Sequence, residues 1–275
     1  GGLRTAYWKP GIVGGVAIFL LVRFFHNEPA EIGVRPLGAP EDEPIKQVQT
    51  GDIAKVRSKV FLKQVQQTSA FWNLIGIHFW GCAGHAIILL YLVAMAEYEG
   101  VSTGLAAGAF VTLSVTSTIT RFAVPVIAER MGSKPAMAGC FFLQTAPILL
   151  LFFAHDPWQF YLFAVLFGIG FGGEMSAFPI INRQYYGSGP IGTTYGYQMM
   201  GAGVGMAAGA LVGGQLRDWT GNFDATMALS LGLSMIGVIS IMILPTTKKE
   251  LLPDWEDQLP QGSRTEAASS PAGDG

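Results

Sequence analysis

Arg121 and Glu174 are ionisable side chains set inside stretches that are otherwise apolar. Ionisable groups are costly in such surroundings and mark binding sites or proton routes by default. Arg121 keeps its charge at every physiological pH and can hold a carboxylate through two parallel hydrogen bonds. With Ser114, Ser117 and Thr118 it forms one polar stripe at helical spacing, the kind of face that lines water or a substrate. Its chemistry allows either an anion site or a structural ion pair. Glu174 is surrounded by Gly168, Gly170, Gly172 and Gly173, so another backbone or a substrate can come close. A carboxyl group shielded from water in this way can pass a proton, or it can pair with Arg121 or another buried cation. His78, Cys82 and His85 recur at i, i+4 and i+7 and share one helix face. His and Cys suit zinc or copper. No fourth ligand is evident, and the sequence assigns no metal. The histidines can instead bind substrate, carry protons or bond to a neighbouring helix. Tyr197 and Gln198 are further substrate-binding candidates, with Asn73, Gln144 and Tyr195 behind them.

The elements that carry these residues are membrane spans. Seven apolar stretches cover residues 3–25, 70–96, 103–128, 135–154, 158–182, 191–216 and 223–244. Each is near the roughly 20 residues that cross a hydrocarbon core of about 30 Å. The runs lack period-two alternation, so they are helices and not barrel strands. Arg121 lies nine residues before Arg130, and Glu174 nine before Arg183, so both sit about 13 Å inside their helices. The expected fold is all-α, a polytopic membrane helix bundle of about seven transmembrane helices. Only 13% of residues are charged, against about 25% in soluble domains, and mean hydropathy is +0.40. A net charge of −2 argues against a nucleic-acid partner. The basic residues fall unevenly. Arg35, Lys46, Lys55, Arg57, Lys59, Lys63, Arg130, Lys134, Arg183, Lys248, Lys249 and Arg264 lie on one side. Arg4, Lys9 and Arg217 lie on the other, and Arg23 and Arg121 within spans. The excess marks the inside, with the N-terminus out and the C-terminus cytoplasmic. Cys82 and Cys140 both fall in spans, form no disulfide framework and read as small packed residues.

The stretches divide the chain into a first helix (1–25), a connection (26–69), a six-span set (70–245) and a tail (246–275). The connection opens as an extended linker over 27–44, rich in Pro, Gly and acid. It continues as an amphipathic helix over 52–67, with Ile53, Val56 and Val60 at helical spacing, four basic residues, and Asp52 as N-cap. That helix suits the membrane surface or a solvated loop. The tail is polar and rich in Pro, Ser and Ala, and is expected to be disordered. Gly201, Gly205, Gly209 and Gly213 recur every four residues, a surface that lets another helix pack closely; Gly168 and Gly172 repeat the pattern. Pro125, Pro147 and Pro179 are expected to kink their helices. No G-x-x-x-x-G-K-[ST] or H-E-x-x-H occurs, and no cofactor, no ATP site and no enzyme activity are expected. The chain starts Gly-Gly, with its first span at once, which reads as a fragment lacking its upstream part.

The loop after the third span, RFAVPVIAERMGSK, is similar to the motif G-x-x-x-D-R-x-G-[RK]-[RK] of the major facilitator superfamily. Glu129, Arg130, Gly132 and Lys134 match in type, while Pro125 stands for a Gly and Ser133 for a basic residue. The layout also resembles that family: the last helix of an N-terminal half, a long cytoplasmic loop, and the six helices of the C-terminal half. The segment GFGGEMSAFPIINRQYYG, with the glycine-rich helix after it, looks like the oxalate–formate and monocarboxylate transporter branch. The resemblance implies a secondary transporter in the cell (plasma or inner) membrane that moves a small organic anion by alternating access. Its partners would be that substrate, protons, the lipid bilayer and the missing six-helix half. Arg121 would hold the substrate carboxylate, with His85, His78, Ser117, Gln198 and Tyr197 around it. Glu174 would couple protons, and Glu129, Arg130, Gly132 and Lys134 would form a conformational latch. Oxalate carriers add a Lys in the sixth of these spans; residues 191–216 have none, which favours a monocarboxylate. The alternative is a seven-helix receptor or sensor, which shares the expected topology. A retinal protein is excluded because residues 223–244 contain no Lys.

Overall fold

A computed structural model describes residues 3–26, 32–35, 51–187 and 189–264. Most of the linker expected over 27–44 therefore lies outside the described residues. The chain divides into two units, Gly1–Lys55 and Val56–Gly275. In the first unit, helix α1 runs Leu3–Val22. Its apolar stretch is only Gly11–Val22, because Arg4 and Lys9 occupy the first half. Arg23, expected inside a span, follows the helix end. Among the described residues, six helices rather than the expected seven are long and apolar enough to cross a membrane.

Those six spans belong to the second unit. They are α3 (Ser69–Tyr98), α4 (Thr103–Met131), α5 (Ser133–Thr145) continued by α6 (Ile148–Leu151), α7 (Pro157–Tyr186), α8 (Ile191–Thr220) and α9 (Asp224–Ile243). The described residues are helical throughout these segments and contain no strand. Thr68 caps α3 by accepting from Phe71 N, and the Gln159 side chain folds back over the start of α7 to accept from Asp156 N at 2.8 Å. Pro147 has no N–H to donate, so the fourth stretch breaks there and resumes with tighter turns from Ala146 and Pro147 carbonyls. Gly132 turns α4 into α5 at φ +91°, a conformation that a side chain would resist.

The spans form two triplets. In one, α3 packs against α8 and α9; in the other, α7 packs against α4 and α5. Glycines decide the pairing. Gly201, Gly205, Gly209 and Gly213 face Ile75, Phe79, Ala83 and Ile87, so α8 and α3 run parallel in a fixed register. Gly168 and Gly172 face Leu113 and Ser117, so α7 and α4 do the same. Gly84 meets Ser230 and Ser234 of α9, and Gly170 meets Cys140 and Gln144 of α5. In each case but Gly213, which meets the Ile87 and Thr226 side chains, backbone approaches backbone, which dispersion and polar contact favour where lipid supplies no hydrophobic drive.

Helix α2 (Asp52–Val65) is present, and Asp52 lies in its first turn, paired with Lys55 at 3.1 Å. Its buried face differs from the expected one. Ile53 and Val56 are exposed, whereas Phe61, Gln64 and Val65 are buried. The tail covers them. Its polar composition predicts disorder, yet 255–263 form two short 3-10 turns that bury Trp255 and Leu259. Two apolar side chains in a polar segment suffice to seat it. Phe61 packs edge-on to Trp255 at 5.0 Å, and Gln64 donates to the Trp255 carbonyl at 2.9 Å. Arg57 lies over the Trp255 ring at 4.8 Å and bonds Glu256 at 2.5 Å and the Ser263 carbonyl at 2.9 Å. Residues 265–275 lie outside the described residues.

Candidate functional site

Two apolar clusters fill the ends of the bundle. One holds Ile87–Ala96 of α3 with Phe160–Phe167 of α7; the other holds Phe71–Ile77 with Ala177–Tyr186. Between them lies a buried polar layer made of His78, Cys82, His85, Gln144 and Glu174. Each comes from the middle of a span, where the glycines at 81, 84, 170 and 173 bring α3, α5, α7 and α9 together.

The layer has a closed geometry. His85 Nδ1 lies 3.0 Å from Gln144 Oε1 and 3.3 Å from Glu174 Oε2. Gln144 Nε2 donates to Glu174 Oε2 at 2.7 Å. The His85–Gln144 contact assigns Nδ1 as the protonated nitrogen, since an amide oxygen only accepts. Glu174 is fully buried and its Oε1 has no hydrogen-bond partner among the described residues. A buried carboxyl oxygen without a partner is costly. Of the partners expected for Glu174, the structure supplies His85 and not Arg121.

The other expected residues separate. His78 stacks face to face on Phe178, at 3.3 Å between ring centres, and neither ring nitrogen has a partner among the described residues. Gln198 is buried in a reciprocal amide pair: Asn182 Nδ2 donates to its Oε1 at 2.9 Å, and its Nε2 donates to Asn182 Oδ1 at 2.8 Å. Tyr197 is half-exposed and meets Phe71 edge-on. Ser117 is buried against Gly172 of α7. Ser114 and Thr118 turn their hydroxyls back to their own helix, to Phe110 O and Ser114 O. The polar stripe is thus mostly satisfied internally, and Arg121 alone projects a charge from it. Arg121 is exposed on α4, and its guanidinium has no partner among the described residues.

At the α4–α5 turn, Glu129 and Arg130 are exposed, and Ser133 donates to Gln184 of α7. Lys134 reaches across to the end of α9, bonding Leu244 O at 2.6 Å and Met242 O at 3.1 Å. It thereby caps carbonyls that the helix cannot satisfy itself. Sequence reasoning ranks Gln144 low and passes over Asn182. An amide within an apolar run is the available signal for both.

The Major Facilitator Superfamily profile matches residues 86–268. The chain belongs to that superfamily. It is also similar to "Multidrug resistance protein MdtH" of Cronobacter sakazakii, with 27% identity over 135 residues. That match covers 47% of this chain and 30% of the relative, so the chain spans about a third of the relative's length. As a superfamily member with six spanning helices among its described residues, it is a multi-pass membrane protein.

Proposed function

We propose that the chain is the C-terminal part of a secondary transporter that moves a small organic anion, a monocarboxylate, by alternating access. Arg121 carries this reading. It lies in mid-span, exposed and unpaired among the described residues, where an isolated charge costs at least about 2.5–3.5 kcal/mol against lipid. Such a charge belongs beside water and an anion. A single guanidinium matches one carboxylate, and α8 offers no second cation within the membrane. Glu174 and His85 supply the proton-coupling group, because the orphan oxygen can take a proton from the water on one side of the membrane and return it on the other as the substrate crosses. On this reading α1 is the last helix of an N-terminal half, 26–69 the central cytoplasmic loop, and 70–245 the C-terminal domain. A second six-helix half would complete the cavity that α4 and α8 leave open. Glu129, Arg130, Gly132 and Lys134 would latch the cytoplasmic face, with residues 246–275 on the same side of the cell membrane. Superfamily membership supports a transporter over the receptor and over an enzyme.

The test is uptake of labelled formate, acetate and lactate by cells expressing the complete reading frame. Arg121→Ala abolishes uptake and Arg121→Lys restores part of it. Undiminished uptake by Arg121→Ala at normal membrane abundance rejects the assignment. The name of the Cronobacter relative supports a second reading, export of drugs. Raised drug tolerance in the same cells, without carboxylate uptake, would favour it.

A further inference from the structure

Cys82 precedes His85 by one turn of α3 and shares its buried pocket. One donor atom each from Cys82, His85 and Glu174 lies within 4.8 Å of the other two. All three residues are at most 2% exposed. Glu174 Oε1, the oxygen without a partner, faces the α3 backbone beside Cys82, 3.7 Å from where a Cβ on Gly81 would stand. We propose that Cys82, His85 and Glu174 form an intramembrane binding site for a divalent transition-metal ion of the zinc class.

The donor set selects the ion. Sulfur, imidazole nitrogen and one carboxylate oxygen suit zinc and cobalt, whereas magnesium and calcium require oxygen throughout. Charge selects it again. A thiolate and a carboxylate around a divalent cation make a neutral unit, and the low-dielectric interior tolerates that far better than a lone carboxylate. Binding therefore displaces the Cys82 thiol proton to solvent and changes no oxidation state. Zinc ligands at about 2.0–2.3 Å from the metal stand about 3.5 Å from one another. The cluster must contract by roughly 1.3 Å at its widest, which rotation about the Cys82 and Glu174 side-chain bonds provides. Gln144 is already placed as the supporting group. It bonds both His85 Nδ1 and Glu174 Oε2, which holds the imidazole and the carboxylate in place for an ion. The fourth tetrahedral position stays open. His78, stacked on Phe178, is outside the donor set.

The site shares His85 and Glu174 with the proton-coupling reading, so a proton and the ion would compete for Glu174 Oε1, and its test does not use transport. Tag-free protein in detergent is titrated with cobalt and followed by absorption. The expected result is one cobalt per chain with a thiolate-to-cobalt charge-transfer band that zinc displaces. Cys82→Ser removes the band. His85→Ala and Glu174→Gln weaken binding by at least about tenfold, since even supporting groups contribute that much. Cys140→Ser keeps the band, because the Cys140 thiol faces Gly173 and lies outside the donor set. No band at saturating cobalt in monodisperse protein overturns the proposal. So does a band that survives Cys82→Ser or is lost in Cys140→Ser. Should Cys82→Ser fail to fold, the Cys140→Ser chain decides the matter, because Cys82 is then its one remaining cysteine: a thiolate band at one cobalt per chain supports the site, and its absence overturns it.

Discussion

Replacing Gly209 with Ala tests the packing of α8 on α3 with a single methyl group. A Cβ at Gly209 would stand 2.7 Å from the Ala83 carbonyl carbon and 2.9 Å from its Cα, where ordinary contact begins at 3.4 Å. The obstacle is backbone, so no side chain can swing aside. The helices must part by about 0.7 Å or more, and the neighbouring contacts at Gly205 and Gly213 loosen with them. Overpacking of this kind costs typically about 1–3 kcal/mol. Removing a helical glycine returns about 0.5–1 kcal/mol, so the net loss is at most about 2.5 kcal/mol. Gly232→Ala is the matched control, since a Cβ there meets nothing within 4 Å and should stabilise slightly. Thermal unfolding in detergent reads the difference. At about 2–4 °C per kcal/mol, Gly209→Ala should melt about 2–12 °C below Gly232→Ala, which itself melts at or above wild type. Equal midpoints for the two variants would refute the register that sets Gly209 against Ala83.

Two further outcomes follow from buried polar pairs. Asn182→Ala and Gln198→Ala each strand an amide in the bundle and lose about 1–3 kcal/mol, while the double variant loses less than their sum; strictly additive losses in chemical unfolding would show the pair to be uncoupled. Arg57→Ala removes the fork to Glu256 and Ser263, worth about 1–2 kcal/mol for a partly buried pair. Amide exchange across 255–264 should then quicken by about 5–30-fold, and an unchanged rate would show that Trp255 alone seats the tail.

The spans are legible because a bilayer leaves a backbone only one way to satisfy itself, so long apolar runs translate directly into helices. The stepped glycines of α8 are legible for a related reason: four-residue spacing defines a face without any knowledge of the neighbour. Rotation between helices is not. Arg121 and Glu174 lie at equal depth from their basic boundaries, which makes a pair between them attractive. On α7, however, Gly172 and Ser176 face α4, and Ser176 bonds Arg121 O. Glu174 is two residues from each, about 200° around the helix, and so faces α3 and α5. Depth can be counted along a sequence, whereas facing depends on which helix the glycines admit. The tail escapes a compositional reading because composition averages over its length, and Trp255 with Leu259 outweigh the polar residues around them.

The two triplets are joined in a different manner from their interiors. Inside a triplet, α8 on α3 and α7 on α4 meet backbone to backbone through glycine, contacts that respond to volume and ignore charge. Across the divide the two apolar clusters join α3 to α7, and between and beside them run polar ties: His85 to Gln144 and Glu174, Asn182 to Gln198, and Lys134 to the end of α9. The polar ties respond to protons and ions, the apolar ones to volume. A change of charge at Glu174 or His85 is therefore felt by both triplets at once, because the group that carries it belongs to one and its partner to the other.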